Sequence, residues 1–262
     1  MKTQISKLTI MTLIVAIVIP VTGFAQLTGQ QIMQKADDVD KGKSRKTEMK
    51  MKLINKRGAE RERVLTSKSA DYENVTKSIM FFNAPADVKG TGFLTWDNDV
   101  SSKDDDRWLY MPAMKKTRRI SGSSAKKEYF MGSDFTYEDM GNRNVNDDTH
   151  KLLREEVVDG QKCWVIESKP KNSDHIYSKV ISWIRQDAYV ATKVEFYDKM
   201  GSLQKTLMVS EIKKVDDFWT SHKMHMKNHQ RNHQTIITIN SIEYNIDVDE
   251  TTFTVNALEK GM

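Results

Sequence analysis

The stretch KTEMKMKLIN, residues 46–55, alternates polar and apolar side chains, with Met49, Met51 and Leu53 at every second position. Successive side chains of a β-strand point to opposite faces, so this alternation predicts a strand with one buried face. A turn signal ending in Gly58 follows, and a second run of the same kind begins at residue 60. Two such runs around a short turn are typical of an antiparallel hairpin.

The same pattern continues along the chain. Asp159 and Gly160 form a two-residue hairpin signature, and residues 198–201 mark a further turn. No helical pattern of 10–15 residues lies between the runs, which excludes parallel βαβ units. Strands are predicted at residues 46–55, 60–68, 74–82, 92–97, 107–111, 115–120, 150–158, 161–169, 177–185, 190–198, 203–214, 219–228 and 234–246. Because twisted antiparallel sheets of more than about ten strands curl or close, the fold class is mainly β, an antiparallel barrel or strongly curved sheet.

Two segments break the alternation. Thr28 and Gln31 form a capping box, which predicts a helix over about residues 29–40. The other segment, about residues 121–149, is a long glycine-containing stretch rich in aromatic residues. Long irregular stretches in compact domains are usually functional. Either its aromatic side chains pack the stretch onto the core, or they form a lid over an apolar cavity; we favour the lid.

Composition excludes several classes of protein. The 262 residues include 38% hydrophobic and 29% charged residues and a single cysteine, which describes a globular chain without disulfides or a cysteine-pair metal site. Lys2 and Lys7 precede an apolar run at residues 8–19, and Gly23 and Ala25 fit a signal-peptidase site. Residues 1–25 are therefore predicted to be a cleaved signal peptide and residues 26–262 a single exported domain. The small excess of basic residues argues against nucleic-acid binding.

Residues 106–140 carry a specific resemblance. DRWLYMPAMKK at 106–116, RRIS at 118–121 and FMGSDFTYEDM at 130–140 resemble the signature of outer membrane lipoprotein-sorting proteins, relatives of the periplasmic carriers LolA and LolB. The resemblance implies a curved antiparallel half-barrel of about 11 strands, with short helices plugging its concave face. It also implies periplasmic localisation, binding of lipid or lipoprotein acyl chains in an apolar cavity, and delivery toward the outer membrane. An RND-type transporter or an outer membrane acceptor is the implied partner.

The candidate site follows from these motifs. Methionine and aromatic side chains suit an adaptable apolar cavity. Arg118 and Arg119 are candidates for a lipid headgroup or for a structural ion pair, with Asp134 or Asp139 as the expected partner of Arg119. The predicted lining or lid residues are Trp96, Trp108, Tyr110, Met111, Phe130, Met131, Phe135 and Tyr137. The alternative is an interaction or sensor module that docks a transporter without carrying a ligand.

Other groups of residues are weaker candidates for a functional site. His222, His225, His229 and His233 could suit a metal on a helix, but they lie in a predicted strand pair where the last three share the solvent face. The acidic run at residues 104–106 lacks the ligand spacing of an EF-hand. Cys163 on an alternating strand is expected to be a buried apolar residue. No nucleophile elbow, zinc-protease, Walker or dinucleotide motif occurs, so we predict neither an enzyme nor a cofactor or metal.

Overall fold

The computed structural model describes residues 26–100 and 103–261. The predicted signal peptide lies outside these residues. The described chain contains three α-helices, α1 (Gly29–Asp37), α2 (Gly122–Lys126) and α3 (Val255–Lys260). None of these is long and apolar enough to span a membrane. The strands are β1 (Ser44–Ile54), β2 (Glu60–Tyr72), β3 (Val75–Ala84), β4 (Gly92–Asn98), β5 (Asp106–Met111), β6 (Lys116–Arg119), β7 (Asp148–Val158), β8 (Gln161–Pro170), β9 (Lys179–Arg185), β10 (Ala191–Tyr197), β11 (Leu203–Val215), β12 (Phe218–Asn228) and β13 (His233–Tyr244).

All thirteen strands form one antiparallel sheet that is strongly curved and does not close into a barrel. Their order is β6-β5-β4-β3-β2-β1-β13-β12-β11-β10-β9-β8-β7. Two meanders therefore meet where β1 pairs with β13, with Met51 opposite Ile237. Each predicted run is a strand, and the described sheet has two more strands than the 11 or so that the resemblance implies.

Residues 120–147, here called the crossover segment, connect the two edge strands β6 and β7. The segment runs over the concave face, where its Phe130 joins a cluster with Leu65, Phe82 and Phe93 of the sheet. Helix α1 lies over the far end of the same face, where Ile32 packs against Ile166 and Ile184 of β8 and β9. The predicted capping box at its start is present, and the helix ends at Asp37, before the predicted residue 40.

The C-terminal helix α3 covers the opposite, convex face. Leu258 of α3 and the preceding Phe253 pack against Phe81 and Leu94 of β3 and β4. Leu94 is adjacent in the chain to Phe93, which belongs to the concave-face cluster. Strand β4 is therefore buried on both faces, with the crossover segment on one side and the C-terminal segment on the other.

Candidate functional site

Aromatic side chains anchor the crossover segment in the core. Phe130, Phe135 and Tyr137 are all buried, and Phe130 has no exposed surface. Its ring centroid lies 5.1 Å from that of Phe93, 5.8 Å from that of Phe82 and 5.7 Å from that of Tyr137. Aromatic pairs at such separations add stability beyond their buried area. This burial favours the packing interpretation of the segment over the lid interpretation.

A buried ion pair fastens the C-terminal part of the crossover segment to β11. Lys205 is fully buried and its Nζ forms an ion pair with Asp139. Asp139 also accepts hydrogen bonds from the Tyr177 hydroxyl at 2.7 Å and from the Thr136 hydroxyl at 2.7 Å. Burial lowers the pKa of Lys205 and, with the nearby Asp139 carboxylate, raises the pKa of Tyr177. Each polar group thus has a partner, as buried charges require.

A second buried carboxylate fastens the middle of the segment to β13. Asp134 accepts hydrogen bonds from Thr235 Oγ1 at 2.8 Å and lies 2.6 Å from His233 Nδ1. The Asp134 backbone N–H donates to Thr235 Oγ1 at 2.9 Å. The guanidinium of Arg231 lies 3.7 Å from the same carboxylate. Asp134 and Asp139 are therefore structural anchors of the segment.

The expected partner of Arg119 was wrong. Arg119 forms its ion pair with Asp106, on the neighbouring strand β5, whereas the two carboxylates expected for it face β11 and β13. Arg118 pairs with Glu128 at 2.7 Å. Both arginines lie on the short, exposed edge strand β6, where neighbouring acidic residues reach them more readily than buried ones do.

The four clustered histidines bind separate partners. His222 Nδ1 lies 3.1 Å from the backbone oxygen of Glu211, and the predicted solvent-facing pair His225 and His229 contact Gln234 and Thr206. The prediction that His233 shares their face was wrong. His233 lies beyond the β12–β13 turn and is oriented toward Asp134.

The predicted lining residues do not form one surface. Trp96, Trp108 and Tyr110 pack on the convex face with the C-terminal segment, and Trp96 Nε1 donates a hydrogen bond to the backbone oxygen of Phe253 at 2.9 Å. Met111 and Met131 pack against the concave-face cluster. These three aromatic side chains therefore cover the convex side, because strand alternation orients them away from Phe93 and Leu109.

A cavity of about 910 Å³ remains on the concave face, between the crossover segment, α1 and strands β8–β12. Its apolar wall comes mainly from the sheet. Val180, Phe196, Leu207 and Met226 contribute from four neighbouring strands, and Phe135 is the predicted lining residue that borders it. Further apolar lining residues are Met33 and Ile176, with the aromatic ring of Tyr177. The cavity thus lies on the half of the sheet that the aromatic anchors leave uncovered.

A second wall of the cavity is a buried polar cluster around Arg107. This guanidinium is 1% exposed, donates a hydrogen bond to Asp105 at 3.0 Å and lies 3.5 Å from Asp97. Burial raises the pKa of Asp97 to about 7. Burial also opposes ionisation of Glu138, but nearby His175, Lys126 and Arg107 outweigh it and lower its pKa to about 2.

Gly141 of the crossover segment makes room for this guanidinium. A Cβ at this position would overlap Arg107 Nη2 and lie 2.8 Å from Asp97 Oδ1. Its backbone therefore approaches Arg107 more closely than a residue with a side chain permits. Sequence reasoning missed the charged residues of this wall and Lys205. The signal was a charged residue at an apolar position of an alternating strand, as with Arg107 beside Leu109 and Lys205 beside Leu207.

Comparison with known proteins agrees with this architecture. A family model described only as that of an uncharacterized protein matches residues 74–260. No curated protein matches the chain. A LolA superfamily protein from Nitrosomonas europaea shares the fold, with 22% identity and a TM-score of 0.69 over 88% of this chain and 100% of its own.

Two solved structures are more similar in sequence. An outer membrane lipoprotein-sorting protein domain from Vibrio parahaemolyticus is 34% identical over 88% of this chain and 98% of its own, with a TM-score of 0.83. A DUF1329 family protein from Desulfovibrio piger is 32% identical over 88% of this chain and 97% of its own, with a TM-score of 0.84. The half-barrel, its crossover segment and these relatives together assign the chain to the outer membrane lipoprotein-sorting protein family.

Proposed function

We propose that this protein carries a lipid, or the acyl chains of a lipoprotein, in the concave-face cavity. The observation that supports the proposal is the apolar wall formed by Val180, Phe196, Leu207 and Met226. A volume of about 910 Å³ lies within the usual range of ligand sites, about 300–1,000 Å³. Burying ten methylene groups of a chain contributes about 8 kcal/mol before the cost of ordering the chain. This is the scale of reversible, micromolar binding.

The carrier proposal includes a cellular setting. We expect export to the periplasm and cleavage after Ala25, so that the mature protein begins at Gln26. Amino-terminal sequencing of protein from a periplasmic extract checks this, and an intact Met1 on membrane-bound protein would contradict it. The expected donor or acceptor is an RND-type transporter or an outer membrane component, which crosslinking in intact cells can identify.

Binding can be tested directly. Protein purified from the periplasm should release co-purifying lipid on organic extraction, detected by mass spectrometry. Delipidated protein should bind a fluorescent fatty acid saturably. Replacing Leu207 with Trp fills the cavity and should weaken this binding at least tenfold. The matched control is Met200→Trp, because Met200 is 89% exposed in a turn.

The outcomes separate the two functions considered for this fold. Loss of binding in Leu207→Trp with an unchanged melting temperature supports carriage in this cavity. Absence of both co-purifying lipid and saturable binding in the unmodified protein would overturn the carrier proposal. The interaction or sensor module would then be the better account of the curved sheet.

A further inference from the structure

The polar wall of the cavity contains more charged and polar side chains than binding of an acyl chain requires. Arg107, Glu138 and His175 all line the cavity, and Lys126 lies beside them. Burying charged and polar groups is costly unless each finds a partner. The hydrogen bond from Arg107 to Asp105 satisfies part of this requirement. Several other buried polar atoms of the cluster, as the structure describes it, form no hydrogen bond.

The unpartnered atoms include both donors and an acceptor. Arg107 Nε and Nη1, His175 Nε2 and Glu138 Oε2 are buried without a hydrogen bond in the described structure. Arg107 Nη1 lies 3.9 Å from Glu138 Oε2, as does the Lys126 Nζ, and His175 Nε2 lies 3.4 Å from the other carboxylate oxygen. These separations bring opposite charges together without satisfying their hydrogen-bonding capacity. A small polar group that both donates and accepts would complete the cluster.

The local charge indicates that this group is uncharged. The two cations, Arg107 and Lys126, are accompanied by the three carboxyl groups of Asp97, Asp105 and Glu138, so they leave no excess positive charge to bind an anion. A carboxylate or phosphate only accepts hydrogen bonds and would be repelled by Glu138, and a quaternary ammonium could not use the arginine donors. Hydroxyl groups donate and accept at once.

We propose that the cavity selects amphiphiles with an uncharged polyhydroxyl head, such as a glycerol or a sugar, whose hydroxyl groups bind against Arg107, Glu138 and His175. The acyl or alkyl chain lies along the apolar wall. This inference rests on the proposed carrier function and adds the chemical class of the ligand.

The test compares probes that share a dodecyl-length chain and differ in the head. They are monolauroylglycerol, dodecyl glucoside, lauric acid and dodecyltrimethylammonium, each titrated by calorimetry below its micellar concentration. The glycerol and sugar probes should bind at least tenfold tighter than either charged probe. Comparison of the first two distinguishes a glycerolipid from a glycolipid source. Free glycerol and glucose, which lack the chain, should bind at least a hundredfold more weakly.

Variants then locate the selectivity. Glu138→Gln and, separately, His175→Gln should weaken binding of the preferred polyhydroxyl probe about tenfold. The affinity for lauric acid should stay the same or increase. Glu128→Gln is the matched control, because Glu128 lies on the same segment and, among the residues that the structure describes, forms its ion pair with exposed Arg118 alone. Melting curves check that each variant folds, and the probe comparison on the unmodified protein needs no variant.

The results distinguish this inference from the function on which it rests. If none of the four amphiphiles binds, the carrier function itself fails. If all bind with similar affinity, or lauric acid binds best, the carrier function stands and the polyhydroxyl selectivity is refuted. If Glu138→Gln weakens the binding of every probe equally, the polyhydroxyl selectivity is likewise refuted, because that pattern indicates a structural role for Glu138.

Discussion

Replacing Phe130 with Ala tests whether the crossover segment is core or lid. Phe130 is fully buried, and its ring packs against the rings of Phe82, Phe93 and Tyr137. Truncating a buried phenylalanine typically costs about 3–5 kcal/mol, from lost transfer free energy and the cavity left behind. At about 2–4 °C per kcal/mol for a chain of this size, the melting temperature should fall by roughly 10 °C.

The measurement is urea unfolding followed by tryptophan fluorescence, with ligand release measured on the same variant. Met114→Ala is the control, because Met114 is 54% exposed and a surface substitution changes stability by at most about 0.5 kcal/mol. A double-mutant cycle with Phe93→Ala should give a coupling of about 0.5–1.5 kcal/mol for this aromatic pair.

A lid would behave differently. Segments that open for loading belong to the least stable parts of a fold, so truncating one should accelerate release with little effect on global unfolding. If Phe130→Ala lowers the free energy of unfolding by less than about 1 kcal/mol while ligand release becomes faster, the reasoning from burial is wrong and the segment is a lid.

Three further predictions concern the polar core. Lys205→Met should lower the free energy of unfolding by about 3–5 kcal/mol in urea titrations, because Asp139 keeps a buried charge without its cation; unchanged stability would contradict this pairing. Gly141→Ala should cost about 3 kcal/mol by the same assay, because the new methyl group displaces the Arg107 guanidinium, and a neutral effect would show that the cluster relaxes. Burial raises the pKa of Asp97 to about 7 from an ordinary 3.8, so between these values only the folded state holds the proton, and stability should decrease as pH rises. The decrease should amount to roughly 4 kcal/mol, at 1.36 kcal/mol per pKa unit, and Asp97→Asn should remove it. An equally steep pH dependence of stability in the variant would show that Asp97 is not its source.

The strands were predictable because their signals are local. In β1, Met49, Met51 and Leu53 alternate with lysines, and the turn at Gly58 limits the hairpin, so neither inference needs a distant part of the chain. The same holds for the capping box of α1. Burial of Phe130 and Tyr137 could also be anticipated as one of two interpretations, but choosing between core and lid required their contacts with Phe93.

The site was less predictable than the strands. Alternation divides the side chains of a strand between two faces, but it does not indicate which part of the chain covers each face. In β4, Phe93 and Leu94 are both apolar, and the sequence alone did not indicate that α3 would cover one and the crossover segment the other. Trp96 and Trp108 consequently lie on the convex face, away from the cavity. The position of Lys205 in the alternation with Leu207 indicates a buried charge, but its partner Asp139 lies on a distant segment and is identified only by the structure.

The sequence by itself determined the family, the positions of the strands along the chain and the antiparallel meander, since each depends on neighbours in the chain. Only the tertiary structure decided that β1 pairs with β13 and that Arg107 lies beside Glu138 in the cavity wall. It also decided that Asp139 meets Lys205 and leaves Arg119 to Asp106. These pairings join residues distant in sequence, and their energies depend on burial and on the local dielectric, which exist only once the sheet has curved around the crossover segment.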